Sequence, residues 1–512
     1  MHIDLIEGWD ELAALREDWD RVYAADPEAQ VFLSWAWMTD WLDHVRTPWL
    51  VLAAKRDPAD AGYSAFLPLR VRTVFERNGF HNQLTLAGEL FSDYCGLLAL
   101  PEIEAEAIVA FADHIRRELD WASLQMDNLA MSAHRRRRLL AAFAGRKLVI
   151  NETRAFDHDC GVDISICPSA TLPGDWDAYL ERLSTNNRQK IRRLLRRVEE
   201  SSQVRIAPAA PDEVERCLEG LLDFWRRKWS WQKRERTENI ISRNHHMLRR
   251  CAERGTLFLP AFWAGDRMVA ALACVIDPAK GAMNFVITGR DDSYTEMPAG
   301  YLLHAYSIRH SIGLGLTSYD FLRGNEPYKY QFADQERIIT SVTVRAPGLR
   351  NLSGRLDPRG FADMLSTAAE LEGQDPPQAE KAYREIVEFA PTHGLALYRA
   401  ARFLFRKGSY AEACALASRS IAAEPAGDNA WLLLARGRRF LGDVGGALEA
   451  YREVLKLRPG NGEAQRGVVE LARMTGPGPT APALGARAPT RLQTPDLLAM
   501  AGLARPAAPS WP

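Results

Sequence analysis

Three columns of residues recur at one interval in the C-terminal third of the chain. Ala379, Ala413 and Ala447 stand 34 residues apart, as do Pro391, Pro425 and Pro459, and Tyr383, Ala417 and Tyr451. A fixed period of this length calls for a stack of like units, each burying its apolar face only against its neighbours. The unit reads as a pair of antiparallel helices. The small Ala lets the helices approach, the aromatic fills the space beside it, and Pro ends the second helix. Leu397, Ala400 and Ala401, then Trp431, Leu434 and Ala435, supply the first helices of the second and third units, with Gly408 and Gly442 at the turns. The first unit is degenerate in its first helix. A last amphipathic stretch, from Gly462 to Met474, closes the stack.

This pattern resembles the tetratricopeptide repeat, which implies an all-α solenoid over 355–475 that binds a protein partner. The chain then reads Gly-Pro-Gly-Pro-Thr-Ala-Pro, a composition that cannot bury a core, so 476–512 is expected to be a disordered tail with one helical scrap from Thr494 to Ala504.

With 512 residues, the chain has room for about three domains. Lys and Arg number 65 and Asp and Glu 66, so the net charge of −1 argues against a protein that coats nucleic acid nonspecifically. The seven cysteines are scattered, with no CxxC pair, and read as buried reduced thiols, with no metal site. The first residues carry acids and no apolar run, and no apolar stretch approaches a membrane span. A cytoplasmic location without a membrane span is therefore expected.

The first 350 residues alternate strand-like runs (Leu50 to Ala54, Leu67 to Val71, Met283 to Thr288) with helix-like ones (Glu102 to Leu119, Val214 to Trp229). That alternation argues α/β or α+β. Each half ends on an aromatic-acid motif, Ser92-Asp93-Tyr94 in one and Tyr319-Asp320-Phe321 in the other. A duplicated domain is expected, at 1–160 and 161–350.

The stretch 255–330 reads as a hairpin around Ala264-Gly265-Asp266-Arg267, a third strand ending at Gly289-Arg290, a loop through Met297-Pro298-Ala299-Gly300, a helix from Tyr301, and a last strand, Ser318 to Leu322. This order resembles the core of the GNAT superfamily of N-acetyltransferases. Asp320-Phe321-Leu322-Arg323-Gly324 with Tyr328-Lys329, together with Pro298-Ala299-Gly300, Ser184-Thr185-Asn186-Asn187-Arg188 and Ser92-Asp93-Tyr94, looks like the CelD-like acetyltransferases named for cellulose biosynthesis. That family is similar to the Fem-type aminoacyltransferases, which are double GNAT proteins.

The resemblance implies tandem GNAT-like domains that transfer an acyl group from acyl-CoA (acetyl-CoA) to an amine or hydroxyl. The acceptor is a small molecule, saccharide or peptide, in polysaccharide or envelope work. It places the carrier's pyrophosphate on free amides at a helix start, with Arg290, Ala299, Gly300 and Tyr301 as the cofactor-binding residues. Asp320, at a strand end, is the candidate proton acceptor, and Tyr328 the donor to the leaving thiolate. Asp93, Tyr94, Arg188, Arg192, Arg323 and Lys329 are candidate substrate-binding residues. No GxSxG elbow points to a covalent acyl-enzyme.

Arg188 to Val198 is a sharp amphipathic pattern with Ile191, Leu194, Leu195 and Val198 on one face and six basic residues on the rest. It reads either as a solvated face or as an anion site for a CoA phosphate, an acidic acceptor or tRNA. Trp225 to Arg234 interleaves aromatic and basic residues and reads first as core tryptophans with snorkelling cations. Arg135 to Arg138 reads as surface, and His304 as structural. Two rivals stand beside acyl-CoA transfer: Fem-like transfer from aminoacyl-tRNA, and an inactive acyltransferase fold serving as a scaffold for the repeats.

Overall fold

The apolar runs of the first 350 residues become two mixed β-sheets. The computed structural model describes residues 1–475 except 46, 77–78, 90, 146, 159, 234–235 and 353, with the side chains of 231–236 and 475 also outside the description. The expected tail, 476–512, lies outside the described residues. The chain forms two compact units, Met1–Pro391 and Thr392 onward.

In chain order, β1 (His2–Ile6) leads into α1 (Trp9–Ala14), α2 (Arg16–Ala25) and α3 (Trp35–Val45). Next come β2 (Trp49–Lys55), β3 (Ala65–Glu76), β4 (Gly79–Leu86), β5 (Leu98–Ala99), α4 (Glu104–Glu118), β6 (Ser123–Leu129), α5 (Ala133–Phe143) and β7 (Val149–Thr153). A small hairpin of β8 (Phe156–Asp157) and β9 (Val162–Asp163) precedes β10 (Ile166–Thr171), α6 (Trp176–Arg182), α7 (Thr185–Glu199), β11 (Val204–Pro208), α8 (Val214–Lys233) and α9 (Arg236–Glu253). Then follow β12 (Leu257–Phe258), β13 (Pro260–Ala264), β14 (Arg267–Asp277), β15 (Ala282–Arg290), α10 (Ala299–Gly313), β16 (Ser318–Asp320), β17 (Gln335–Ile338) and β18 (Thr340–Arg345).

The first sheet runs β1-β2-β3-β4-β6-β18-β7 and the second β11-β13-β14-β15-β16-β10-β17. The two orders are equivalent. Each is antiparallel but for one parallel pair, β4 with β6 and β15 with β16, joined through a crossover helix, α4 or α10. The tandem α/β expectation holds, with an addition. The chain leaves the first sheet after β7 to place β10 in the second, and returns after β17 to place β18 in the first. Val342 and Val344 of β18 are fully buried between β6 and β7. The second sheet is thus contiguous in sequence, from β10 to β17, whereas the first is completed by β18 from beyond it.

Helices cover both faces of the first sheet. Ile108, Phe111 and Ile115 of α4 pack on one, and Trp19, Val22 and Trp41 of α2 and α3 on the other. On the second sheet α7 and α10 share one core through Leu194, Leu195, Leu302 and Leu303. The opposite face is shared ground. Phe32, Trp37 and Tyr94 pack in one cluster with Leu218, Leu221, Leu248 and Ala271. Ion pairs tie the same seam: Arg250 of α9 and Arg254, just past its end, both reach the buried Asp40 of α3, at 2.9 and 2.7 Å.

One surface expectation is corrected. Arg135, at the start of α5, is only 1% exposed, because its guanidinium bonds Asp26 at 3.0 and 2.8 Å and Glu104 at 3.0 and 2.8 Å. Asp26 in turn accepts from the Ala99 N–H at 3.0 Å. The Arg run looked like surface because its neutralising carboxylates lie far off in sequence.

Two further helices close this unit, α11 (Phe361–Gln374) and α12 (Pro376–Phe389). They lie on β3 and β4, where Glu385 accepts from the Phe80 N–H at 2.7 Å and Asp363 from the Thr73 N–H at 3.4 Å.

The second unit is all-α: α13 (Gly394–Lys407), α14 (Tyr410–Ala423), α15 (Asp428–Phe440), α16 (Val444–Leu457) and α17 (Gly462–Thr475). The period-34 residues Ala413, Ala417, Ala447 and Tyr451 are buried where successive helices meet. Gly408 ends α13 in the left-handed conformation, φ 89°, which Gly alone adopts at no steric cost. A Cβ on Gly467 would sit 2.7 Å from the Tyr451 ring, so α16 and α17 pack as closely as the small residue allows.

Candidate active site

The carrier-binding expectation centres on the start of α10. Pro298 precedes the helix, and no side chain caps it. The N–H groups of Ala299 and Leu302 are taken by Met297 and Pro298 carbonyls, whereas those of Gly300 and Tyr301 have no acceptor among the described residues. A Cβ placed on Gly300 meets nothing within 4 Å, so this helix end opens on free space. The parallel pairing of β15 with β16 stops at Asn284–Asp320, while β15 runs on to Arg290. The two strands therefore part on the side where α10 begins. Val286 is skipped in the β14–β15 register, a bulge that bends β15 at this point.

The basic helix α7 flanks this opening. Ser184 caps it, accepting from the Asn187 N–H, and Ile191, Leu194, Leu195 and Val198 are buried, as the spacing predicts. Lys190 lies over the Tyr301 ring at 4.0 Å, a cation–π contact next to the free amides. The Tyr301 hydroxyl is buried and has no hydrogen-bond partner. Arg188 is half-buried, with no ion pair among the described residues. Arg192 is committed to Asp177 of α6 at 2.8 Å, and Arg290, past the strands' parting, to Asp292 at 3.0 Å.

The two aromatic-acid motifs meet. The Tyr94 hydroxyl donates to both Asp320 oxygens, at 2.9 and 3.1 Å, across 226 residues of sequence. The Leu322 N–H donates to Asp320 Oδ1 at 2.7 Å, an arrangement held by Leu322 in the left-handed region, φ 54°. Burial pushes the Asp320 carboxyl up, opposed first by the Arg337 charge. The Arg337 guanidinium lies over the Tyr94 ring at 5.3 Å.

Asp93 turns the other way, into a cavity of about 530 Å³. Trp37, Ser92, Asp127 and Asn128 come from the first sheet's side, and Trp225, Arg243, Val286 and Arg323 from the second's. No hydrogen bond to the Asp93 carboxylate occurs among the described residues. Burial raises its pKa, against the lowering charges of Arg323 and Lys329. Arg323 donates through Nε to the Ile164 carbonyl at 3.2 Å. Lys329 is 2% exposed, donates to the Arg323 and Gly324 carbonyls at 2.7 and 3.0 Å, and pairs with Glu326 at 3.0 Å. Its ammonium is thus used within the loop 323–329.

Tyr328 is half-buried, its ring 5.5 Å from that of His304. Burial first, then the Glu326 charge, pushes its hydroxyl up, so it keeps its proton at neutral pH. His304 is buried among Phe285, Phe321 and Phe332, with Nδ1 3.1 Å from the Tyr319 hydroxyl. Burial lowers its pKa to about 3, which leaves it neutral.

Asp93, Tyr94, Asp320, Arg323 and Lys329 thus gather in one cluster, while Gly300, Tyr301 and Lys190 form a second. Arg192 and Arg290 stand apart in surface ion pairs. Sequence reasoning missed Arg243 and Arg337, whose positions carry no motif. Trp225, read as core, does pack partly buried against the shared core, and it also walls the cavity. The side chains of the last part of that aromatic-basic run, 231–234, lie outside the described residues. Among the described residues no group of three or more His, Cys, Asp or Glu could hold a metal ion, and no helix is long and apolar enough to cross a membrane.

Residues 185–330 match the family model described as acetyltransferase (GNAT) domain. That stretch takes in α7, the α10 start, the parting strands and the loop through Lys329. No curated protein sequence matches the chain. Among solved structures, FemX aligns at 10% identity and TM-score 0.48, over 67% of this chain and 97% of its own. A conserved protein of unknown function from Bacteroides thetaiotaomicron aligns at 12% identity and TM-score 0.44, over 67% and 100%. The Sgt2 TPR domain from Aspergillus fumigatus aligns at 21% identity and TM-score 0.22, over 26% and 92%.

Proposed function

We propose that this chain is an N-acyltransferase that draws its acyl group from acyl-CoA bound at the start of α10 and delivers it to an amine held in the cavity beside Asp93. The observation that carries the reading is the open helix end: two free N–H groups, at Gly300 and Tyr301, with no atom within 4 Å of a Gly300 Cβ. Such an end attracts phosphate through its amides and its dipole. The residues fit a CoA pyrophosphate, with Lys190 beside the amides to add a cation. Bound there, the thioester supplies an activated carbonyl.

Asp93 is the proton acceptor in this scheme. It faces the cavity, and its raised pKa brings it nearer to that of a usable base. The acceptor nitrogen's proton passes to Asp93 as the new C–N bond forms. The thiolate released as the C–S bond breaks takes the Tyr328 proton. Asp320 stands one layer back, where it fixes Tyr94 and, through the Leu322 N–H, the loop carrying Arg323. Lys329 is a positioning residue for the same loop. A saccharide- or peptide-borne amine remains the acceptor class that the CelD-like resemblance implies. The helices after Thr392 form tetratricopeptide-like pairs that would take a protein partner.

Gly300→Leu tests the reading. The added side chain meets no protein atom within 4 Å of its Cβ, so the variant should fold as the parent does. By calorimetry it should bind acetyl-CoA at least about tenfold more weakly, since it fills the approach to the amides. Parent protein that binds no acetyl-CoA, or a variant that binds it equally, would overturn the proposal.

One observation favours a second donor. Arg193, Arg196 and Arg197 project exposed from α7 without ion pairs among the described residues. Aminoacyl-tRNA in place of acyl-CoA would use that stripe. Its mark would be tRNA affinity that falls steeply between low and high salt.

A further inference from the structure

Arg243 of α9 lines the 530 Å³ cavity and has no carboxylate partner among the described residues. Its Nε is shut off from solvent and has no hydrogen-bond partner. Its guanidinium lies over the Phe91 ring at 5.1 Å. Several other arginines of this unit are neutralised: Arg135 by Asp26 and Glu104, Arg70 by Glu89, and Arg250 and Arg254 by Asp40. For Arg243, burial lowers the pKa and no neighbouring acid opposes it. A half-buried cation without a counter-ion is costly, and a bound anion removes that cost.

The acids in the same cavity do not serve Arg243. Glu89 is held by Arg70 at 3.1 Å, and Asp127 accepts from Gln125 at 2.7 Å. Asp93 has no such bond. The cavity therefore presents a carboxylate with no hydrogen bond among the described residues, Asp93, beside the charge of Arg323, and a guanidinium with no carboxylate partner among them, Arg243, with Trp37 and Trp225 as apolar wall.

We propose that the acceptor is an amine that also carries an anionic group, a carboxylate or a phosphate: Asp93 receives the amine and Arg243 anchors the anion. This rests on the acyl-transfer reading for the fate of the amine, and on the cavity alone for the anion. A guanidinium matches either anion through paired N–H donors, which an ammonium at this position would not do.

The test is calorimetry on the full chain. The probes are ω-amino acids from glycine to 6-aminohexanoate, the n-alkylamine matching each, and O-phosphoethanolamine for the phosphate arm. At least one anionic amine should bind at least about tenfold more tightly than its uncharged-tail counterpart, the scale of a charge-assisted pair. Arg243→Gln should abolish that preference while leaving alkylamine affinity unchanged, and Arg243→Lys should keep part of it. A melting temperature equal to the parent's shows that the Gln variant is folded; if it is not, the Lys variant decides. Equal affinity for both classes in the parent, a preference that survives Arg243→Gln, or no binding by any member of the panel overturns the proposal. If acetyl-CoA fails to bind while the Arg243-dependent preference persists, acyl transfer falls and the anion site stands.

Discussion

At the residue scale, two acids of one cluster divide labour by where they point. Asp93 faces the cavity with no hydrogen bond among the described residues, while Asp320 accepts from Tyr94 and Leu322 behind it. Asp93→Asn should therefore lower kcat with acetyl-CoA by about a hundredfold or more, the usual yield of a positioned base. Asp320→Asn keeps an oxygen for Tyr94 and should stay within about tenfold, measured by thiol release. Asp93 also carries a stability signature. Its pKa is higher in the folded chain than the ordinary 3.8, so its contribution is fully present below that value and is lost as pH rises through the folded pKa. Asp93→Asn should then be more stable than the parent at pH 8 despite its lowered kcat, and denaturant unfolding would show it. His304 works in the opposite direction. Its pKa falls from 6.5 to about 3 on burial, so between those values the unfolded chain binds more protons and stability drops as pH falls. His304→Gln should lose about 1–2 kcal/mol less than the parent between pH 6.5 and 5. An equal loss in both would mean that His304 is charged or exposed.

At the scale of elements, what could be read from sequence and what could not separate by range. The basic helix α7 was legible because its apolar residues recur with helical spacing and Ser184 marks its start. The hairpin β13–β14 was legible from its Gly265 turn, and α10 from the loop before it. The return of β18 to the first sheet was not. It is a six-residue strand whose alternation suits either sheet, and its partners β6 and β7 lie about 200 positions away. The Tyr94–Asp320 bond and the burial of Arg135 escaped for the same reason. The two motifs were each visible, but their contact follows from how the sheets share a core. The borrowed β18 has a consequence. A fragment of residues 1–160 lacks β18, so β6 and β7 lose the strand between them and Leu124 and Met126 lose their cover. It should be unfolded or aggregated alone and should fold when mixed with 161–391. A soluble 1–160 with dispersed amide resonances would show that the sheet closes without its borrowed strand.

At the scale of the whole molecule, periodicity and packing group the chain differently. Ala379, Tyr383 and Pro391 keep the 34-residue phase of the array, so by pattern α11 and α12 are its first unit. By contact they belong with the sheets: the compact unit runs to Pro391, Glu385 and Asp363 hold the β4 and β3 N–H groups, and a Cβ on Gly360 would fall 1.7 Å from Thr73 Oγ1. Met364, Leu365, Ala368, Ala382 and Ile386 are buried on these helices. Removing that hairpin uncovers apolar surface worth several kcal/mol at about 25 cal/mol per Å², along with the strand amides that Asp363 and Glu385 satisfy. A chain ending at Pro391 should therefore fold, keep the parent's affinity for acetyl-CoA, and melt within a few degrees of the sheets in the full protein. A chain ending at Arg350, where the alternation of strands and helices gives out in the sequence, should melt at least about 10 °C lower or fail to stay in solution. Calorimetric scans of the two truncations beside the full chain decide it. If 1–350 melts with 1–391, the hairpin is a passenger of the array, and its hydrogen bonds to β3 and β4 contribute nothing that the sheets need.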